Sequence, residues 1–455
     1  MAGNLSYEQL KSAADNGLID TVAAVMVDMQ GRLMGKRFHV QHFLESAYNE
    51  THCCNYLLAT DLEMATPDGY ASTSWAGGYG DYVMKPDMQT LRQAPWADGS
   101  AMVLCDVVDH DLHADVAHSP RAVLKRQLDR LSALGFDCRS ATELEFFVYR
   151  ESYDEARDKR YQDMTPVSAY NEDYHILQTA REENLMRPLR NQLVAAGVPV
   201  ECTKGEAEAG QAELNIRYAD ALEMADNHSI AKHAAKEIAW QTGQSVSFLA
   251  KPDENLVGSS SHIHQSLVGK DGSSAFHDAS QRFGMSIIMQ QYLAGLLKYA
   301  QDTTVFLAPY INSYKRFTAS SFAPTHIVWS IDNRTAGFRI VSPDSTNVRI
   351  ECRIGGADMN PYLAMAAQLA SGIAGIEESL SLEDAFQGDA YVAREYREIP
   401  KTLRQATDAL QCSDMLRSAM GDEVIEHYVR AAQWEQEEYD RVVTLYEVQR
   451  GFERA

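Results

Sequence analysis

Apolar positions in this chain follow two rhythms, one close to every third or fourth residue and one close to every second. Near the start Tyr7, Leu10, Ala13 and Ala14 share a helical stripe and Asn16-Gly17 supplies a stop, which predicts a helix within residues 1–20. Residues 21–29 alternate loosely and are rich in β-branched side chains, and Gln30-Gly31 predicts a hairpin into residues 32–40. Residues 60–100 are crowded with Gly, Asp, Pro, Ser and Thr and read mostly as loop. A short apolar strand follows at 102–108. Ser119-Pro120 then reads as a helix start, with Ser at the cap and Pro at the first helical position. Val123, Leu124, Leu128, Leu131 and Leu134 form that helix's apolar stripe, which stops at Gly135. Further helices are expected at 171–196, 227–242, 281–301, 360–378, 401–411 and 421–440. The polar stretch 110–118 separates a β-rich beginning from a longer part that mixes helices with strands. The expectation is an α+β fold with one domain at 1–112 and a larger one at 113–455.

Composition narrows the class. A chain of 455 residues can bury a core without covalent staples. Its seven cysteines, an odd number with no C-x-x-C spacing, argue against a disulfide framework or a cysteine zinc site. The opening Met1-Ala2-Gly3-Asn4-Leu5-Ser6 has no basic or apolar segment of the secretory kind. No apolar run approaches the roughly 18–20 residues of a membrane span. These features predict a reduced, cytoplasmic protein with no membrane partner. With 41 Lys+Arg against 64 Asp+Glu the formal charge is −23, so nucleic acid is not expected as a partner either.

Chemistry-bearing residues recur at the spacing of two. On a strand, residues i and i+2 face the same way, about 7 Å apart. Glu143 and Glu145 stand in this register, as do His262, His264 and Ser266, and Arg349, Glu351 and Arg353. Residues 205–213 add Glu206, Glu208 and Glu213 around Gly210. Each segment alone is an ordinary polar strand face or charge ladder. Together, five or more carboxylates and an imidazole make the ligand set of a hard divalent cation, Mg²⁺ or Mn²⁺. Two such ions with open positions suit phosphoryl transfer. The familiar phosphate loops are missing: Gly31–Lys36 has the wrong spacing for a P-loop, and Gly77-Gly78-Tyr79-Gly80 lacks a third glycine. Phosphate must then be met by metal and arginine, and Arg316, Arg334, Arg339, Arg349 and Arg353 crowd one stretch of the chain.

Read in order, these segments resemble the glutamine synthetase superfamily over nearly the whole chain. The matching motifs are Asp28-Met29-Gln30-Gly31 with Gly35-Lys36-Arg37, Glu143-Leu144-Glu145-Phe146-Phe147, Gly210-Gln211-Ala212-Glu213 and His262-Ile263-His264. Asn312-Ser313-Tyr314-Lys315-Arg316, Asp332-Asn333-Arg334, Arg349-Ile350-Glu351-Cys352-Arg353 and Asn360-Pro361-Tyr362 follow. The resemblance implies a small β-grasp-like N-terminal domain, a large catalytic domain, and hexameric rings stacked as a dodecamer with shared active sites. It implies that ATP phosphorylates the γ-carboxylate of glutamate and that an amine then displaces phosphate. By motif, Glu145, Glu206 and Glu213 would hold one metal, and Glu143, His262 and Glu351 the other. Arg316 would clamp the substrate α-carboxylate, Arg353 would approach the γ-carboxyl end, and Gly258 would lie near the amino group. His264 and Ser266 would line the nucleotide, while Arg334, Arg339 and Arg349 would balance charge on the transferring phosphoryl group.

The sequence departs from the family pattern where the amine should bind. Glutamine synthetases carry a glutamate six residues after the equivalent of Arg316, and here that residue is Phe322. A second carboxylate normally comes from a neighbouring subunit's loop. Asp68-Gly69, with Trp75 seven residues after Asp68, reproduces its spacing and makes Asp68 a catalytic candidate. Val257 replaces an asparagine before Gly258, and Ala212 a larger residue. An aromatic wall in place of a carboxylate suits an amine with a carbon chain. The expectation is therefore a γ-glutamyl–amine ligase, with a polyamine such as putrescine favoured. A glutamine synthetase using ammonia and a catalytically silent scaffold are the rivals.

Overall fold

The computed structural model describes residues 3–455; Met1 and Ala2 of the opening segment lie outside the described residues. The first expected helix spans Tyr7–Asp15, where the Ser6 side chain accepts from Gln9 N and the Gln9 side chain returns the bond. Strands β1 (Thr21–Val27) and β2 (Leu33–His39) form the expected hairpin. Strands β3 (Thr51–Cys54), β4 (Asp81–Pro86), β5 (Arg92–Gln93) and β6 (Ser100–Asp109) complete a sheet in the order β2-β1-β6-β4-β3, with β5 on β6. β1 and β6 run parallel. The stretch 60–100 is thus not only loop. β4 is disguised by Asp81, Lys85 and Pro86, yet buries Tyr82, Val83 and Met84.

A larger sheet follows. Its strands are β7 (Phe136–Tyr149), β8 (Val200–Gly205), β9 (Gln211–Ile216), β10 (Ala219–Asp220), β11 (Ser245–Ser247), β12 (Ser261–Gly269), β13 (Trp329–Ile331), β14 (Phe338–Val341) and β15 (Arg349–Cys352). They run in the order β13-β14-β15-β12-β7-β9-β8, with β10 and β11 also paired to β7. The helices Pro120–Ala133 and Ala221–Gln241 pack against β7. The helix Pro361–Glu377 is buried on every side along most of its length, as its apolar residues on all faces require. Asn360 caps it, accepting from Tyr362 N at 3.0 Å. The same side chain donates to the carbonyls of Asp28 and Met29, at 3.1 and 3.0 Å, and so ties the β1–β2 turn to the start of this helix. Arg121 makes a second tie by pairing with Asp87, Asp106 and Asp226.

The α+β expectation is met, with local corrections. Residues 171–196 are not one helix: only Ile176–Thr179 and Glu183–Ala195 are helical, and Ile176 and Leu177 are exposed. Residues 281–301 break at Ser286, which caps the helix Ile287–Lys298. Ser119 precedes Pro120 as expected but makes no side-chain cap bond. No helix among the described residues is long and apolar enough to cross a membrane.

Candidate active site

Sheet register assembles the site. Lys204 on β8 stands opposite Glu213 on β9, and Glu213 stands opposite Glu145 on β7. Glu143 faces His262 on β12, His264 faces Glu351 on β15, and Glu351 faces Arg339 on β14. Residues far apart in sequence become neighbours because strands lie about 4.8 Å apart and i, i+2 side chains share a face. One stripe of ionisable groups therefore crosses six strands of the sheet, from β8 to β14.

Two ligand sets lie along the stripe. Oxygen atoms of Glu145, Glu206 and Glu213 lie within 4.8 Å of one another. Ligand atoms of Glu143, His264 and Glu351 do the same. His262 sits between the last two carboxylates, with Nδ1 2.9 Å from Glu143 and 3.5 Å from Glu351. His264, expected on the nucleotide side, also comes within 3.0 Å of Glu143. Both imidazoles thus converge on the second set.

Charge is unevenly compensated between the sets. Burial and then the neighbouring Glu206 push Glu145 up to about 7. Burial, Glu145 and Glu143 push Glu213 up to about 9. Lys204 pairs with Glu206, and Glu213 and Glu206 raise the lysine against the downward push of burial, while Arg316 opposes the rise of Glu145. In the second set, burial is outweighed. Hydrogen bonds from His262 and His264 hold Glu143 well below the usual carboxylate range. Arg353 and the histidines hold Glu351 down to about 2. Two buried carboxylates and a half-buried third, with one paired ammonium among them, are a poor resting state without a further cation. All-oxygen donors in the first set, and two carboxylates with imidazole in the second, fit Mg²⁺ or Mn²⁺.

Beside the first set, Gly258, Arg316, Phe322 and Arg353 line a small pocket together with Glu145 and Glu206. Arg316 is 2% exposed, donates Nη2 to the carbonyls of Ile354 and Arg353, and leaves Nε without a partner. It has no carboxylate ion pair among the described residues. Burial lowers it to about 10, with Glu145 opposing. A buried, unpaired guanidinium is a receptor for an anion. Gly258 permits this placement, since an added Cβ would lie 2.4 Å from Ala250 O and 2.5 Å from Arg316 Cγ.

The remaining arginines are held less uniformly. Arg339 and Arg353 each bond one oxygen of Glu351. Arg349 lies 3.3 Å from His264 Nδ1. Arg334 is exposed, and its carbonyl accepts from Arg353. Ser266 is half-buried at the far end of the histidine row. Phe322 is 58% exposed with φ +56°, a left-handed conformation costly for an aromatic residue.

Asp68 and Trp75 do not join this pocket within one chain. The Asp68 carbonyl accepts from Arg430, and Trp75 packs edge-on against Tyr79. Three residues were not singled out by sequence reasoning. Lys204 is in i, i+2 register with Glu206, a signal that could have found it. Ser260 bonds both Glu145 oxygens at 2.6 Å. Gln211 donates to Gly258 O at 3.1 Å.

The sequence profile of the glutamine synthetase catalytic domain matches residues 117–451. A gamma-glutamylethanolamide synthetase of Streptomyces coelicolor is 45% identical, covering 99% of this chain and 96% of its own. A glutamate–isopropylamine ligase of a Pseudomonas species is 34% identical over 95% of both chains. The glutamine synthetase of Thermus thermophilus is 36% identical, covering 82% of this chain and 83% of its own. The solved structure of GmaS in complex with ADP superposes with a TM-score of 0.85 at 25% identity, covering 98% of this chain and 99% of that one.

Proposed function

The chain belongs to the glutamine synthetase family, and we propose that it runs the amine-ligating form of that chemistry: an ATP-dependent ligase joining the glutamate γ-carboxylate to an organic amine through γ-glutamyl phosphate. The pocket observation that carries this reading is Phe322 beside Arg316 and Glu145, where a glutamine synthetase has a glutamate. The relatives named for ethanolamine and isopropylamine products point the same way.

In this mechanism Arg316 holds the substrate α-carboxylate and Gly258 leaves room beside it. The substrate γ-carboxylate then points toward Arg353. Glu145, Glu206 and Glu213 would hold one Mg²⁺ or Mn²⁺, and Glu143, His262, His264 and Glu351 the other. Those ions would supply charge neutralisation along the triphosphate. Arg339, Arg349 and the exposed Arg334 add positive charge where the phosphoryl group is transferred, with Ser266 toward the nucleotide. The acyl phosphate is then attacked by the amine nitrogen; the C–N bond forms, phosphate leaves, and the amine gives up a proton. Asp68, supplied with Trp75 by a neighbouring copy in a ring assembly, takes that proton. A hexameric or dodecameric assembly and a cytoplasmic location belong to this reading.

For the amine we propose a short primary amine without a second charge. The sequence favours a polyamine, but the only carboxylates lining the pocket, Glu145 and Glu206, both belong to the first metal set. Within one chain a distal ammonium would find no free acid there, and the neighbouring copy's Asp68 is engaged with the reacting nitrogen. Ammonia is disfavoured by the missing glutamate, and a silent scaffold would not need both ligand sets. The test is ADP release with glutamate and ATP across ammonia, ethanolamine, isopropylamine and putrescine. Rates highest with ethanolamine or isopropylamine support the reading, and rates highest with ammonia or putrescine overturn it.

A further inference from the structure

A buried acid that the mechanism above does not use lies behind the first ligand set. Glu172 is fully buried and has no ion pair with any basic side chain among the described residues. Its Oε1 accepts from Ser168 Oγ at 2.6 Å and from the Gly210 amide at 2.9 Å. Its own amide donates to Glu206 O at 3.3 Å. The same carboxyl-bearing residue therefore grips both ends of the turn 206–210. The approach is close enough that a Cβ at Gly205 would lie 2.5 Å from Glu172 O. The turn carries Glu206 at its start, and Gly210 leads directly into β9 and Glu213.

The turn is also linked to the substrate side. Glu208 Oε1 accepts from Val257 N at 2.8 Å, next to Gly258 and hence beside Arg316. A second buried acid, Glu182, stands against Glu172, and burial together with Glu172 raises it. Glu172 Oε2 and Glu182 Oε1 have no donor of their own. A buried carboxylate is costly unless it is hydrogen-bonded, so its placement here is explained by the amide and hydroxyl it receives.

We propose that Glu172 is a positioning residue that holds the turn 206–210 so that Glu206 and Glu213 converge with Glu145 on a divalent cation while Glu208 holds the Val257–Gly258 segment over the glutamate site. This rests on the metal reading of that set. The role is mechanical: loss of the grip lets the turn drift, loosening the cation and the glutamate subsite together.

The experiment measures Mn²⁺ binding by calorimetry and glutamate KM on the full-length protein carrying Glu172→Ala, Glu172→Gln, Ser168→Ala or Glu213→Ala. Removing a group that orients a ligand typically weakens metal binding by roughly 10- to 100-fold. That loss is expected in Glu172→Ala, with a raised glutamate KM and smaller change in kcat at saturation. Glu172→Gln should restore most of both, because its amide oxygen still accepts from Ser168 and Gly210. Wild-type Mn²⁺ affinity in Glu172→Ala, or equal losses in the Ala and Gln variants, would overturn the proposal. If Glu172→Ala does not fold, Ser168→Ala decides: weakened Mn²⁺ binding and a raised KM support the grip, and unchanged values refute it. Glu213→Ala separates the two readings. Unaltered Mn²⁺ binding there would overturn the metal assignment itself, whereas its loss beside a normal Glu172→Ala would overturn only the role of Glu172.

Discussion

Replacing Arg316 by lysine tests the glutamate assignment without removing charge. The guanidinium is 2% exposed and already spends Nη2 on the carbonyls of Ile354 and Arg353. What remains for substrate is a planar edge with rigid geometry. A lysine ammonium carries three donors on one nitrogen; if it satisfies the same carbonyls, it cannot also offer two parallel bonds to a carboxylate. One charge-assisted hydrogen bond is thereby lost, about 1.5–3 kcal/mol. At a factor of ten for each ~1.4 kcal/mol, the glutamate KM should rise roughly 10- to 150-fold. ATP binding, which lies toward Arg349 and Ser266, should change by only about twofold, since it makes no contact with this guanidinium in the proposed arrangement. Steady-state kinetics with each substrate varied at saturation of the others reads both numbers. An unchanged glutamate KM beside a weakened ATP interaction would show that the arginine serves the nucleotide.

Three further outcomes follow from the site. Glu145→Ala and Glu351→Ala should keep the fold by circular dichroism and lose ATP-dependent ligation; wild-type turnover in either would refute the ligand assignment. The metal-free protein should lose stability as pH rises from about 5 to about 9, because Glu145 and Glu213 bind protons more tightly folded than unfolded, and Mn²⁺ should cancel that loss. Melting scans with and without Mn²⁺ should diverge toward high pH, and parallel curves would contradict the charge crowding. Phe322→Glu should shift kcat/KM toward ammonia without full synthetase activity, because the new carboxylate stabilises a small hydrated cation; an unchanged amine-to-ammonia ratio would remove Phe322 from the pocket.

Much of the chemistry was legible because strands impose a period of two. Glu143 with Glu145, His262 with His264, and Glu351 between two arginines keep that spacing in the folded sheet. What could not be read is which strand lies beside which, and so the convergence of both histidines on Glu143. Residues 171–182 mimic a helix because Ile176 and Leu177 sit at plausible spacing, but both face outward. The segment is set instead by hydrogen bonds to Glu172, a polar constraint that no apolar pattern records. Likewise the left-handed backbone of Phe322 leaves no compositional mark, since such conformations usually announce themselves as glycine.

The central claim is that the pocket selects an organic amine over ammonia. Competition tests it most directly: equimolar ethanolamine and ¹⁵N-ammonium supplied together with glutamate, ATP and Mg²⁺, the products weighed by mass spectrometry. An alkyl amine gains about 0.8 kcal/mol for each methylene buried, and ammonium also lacks the carboxylate that would stabilise it. The account expects γ-glutamylethanolamide to exceed labelled glutamine by orders of magnitude. Labelled glutamine as the main product would contradict it.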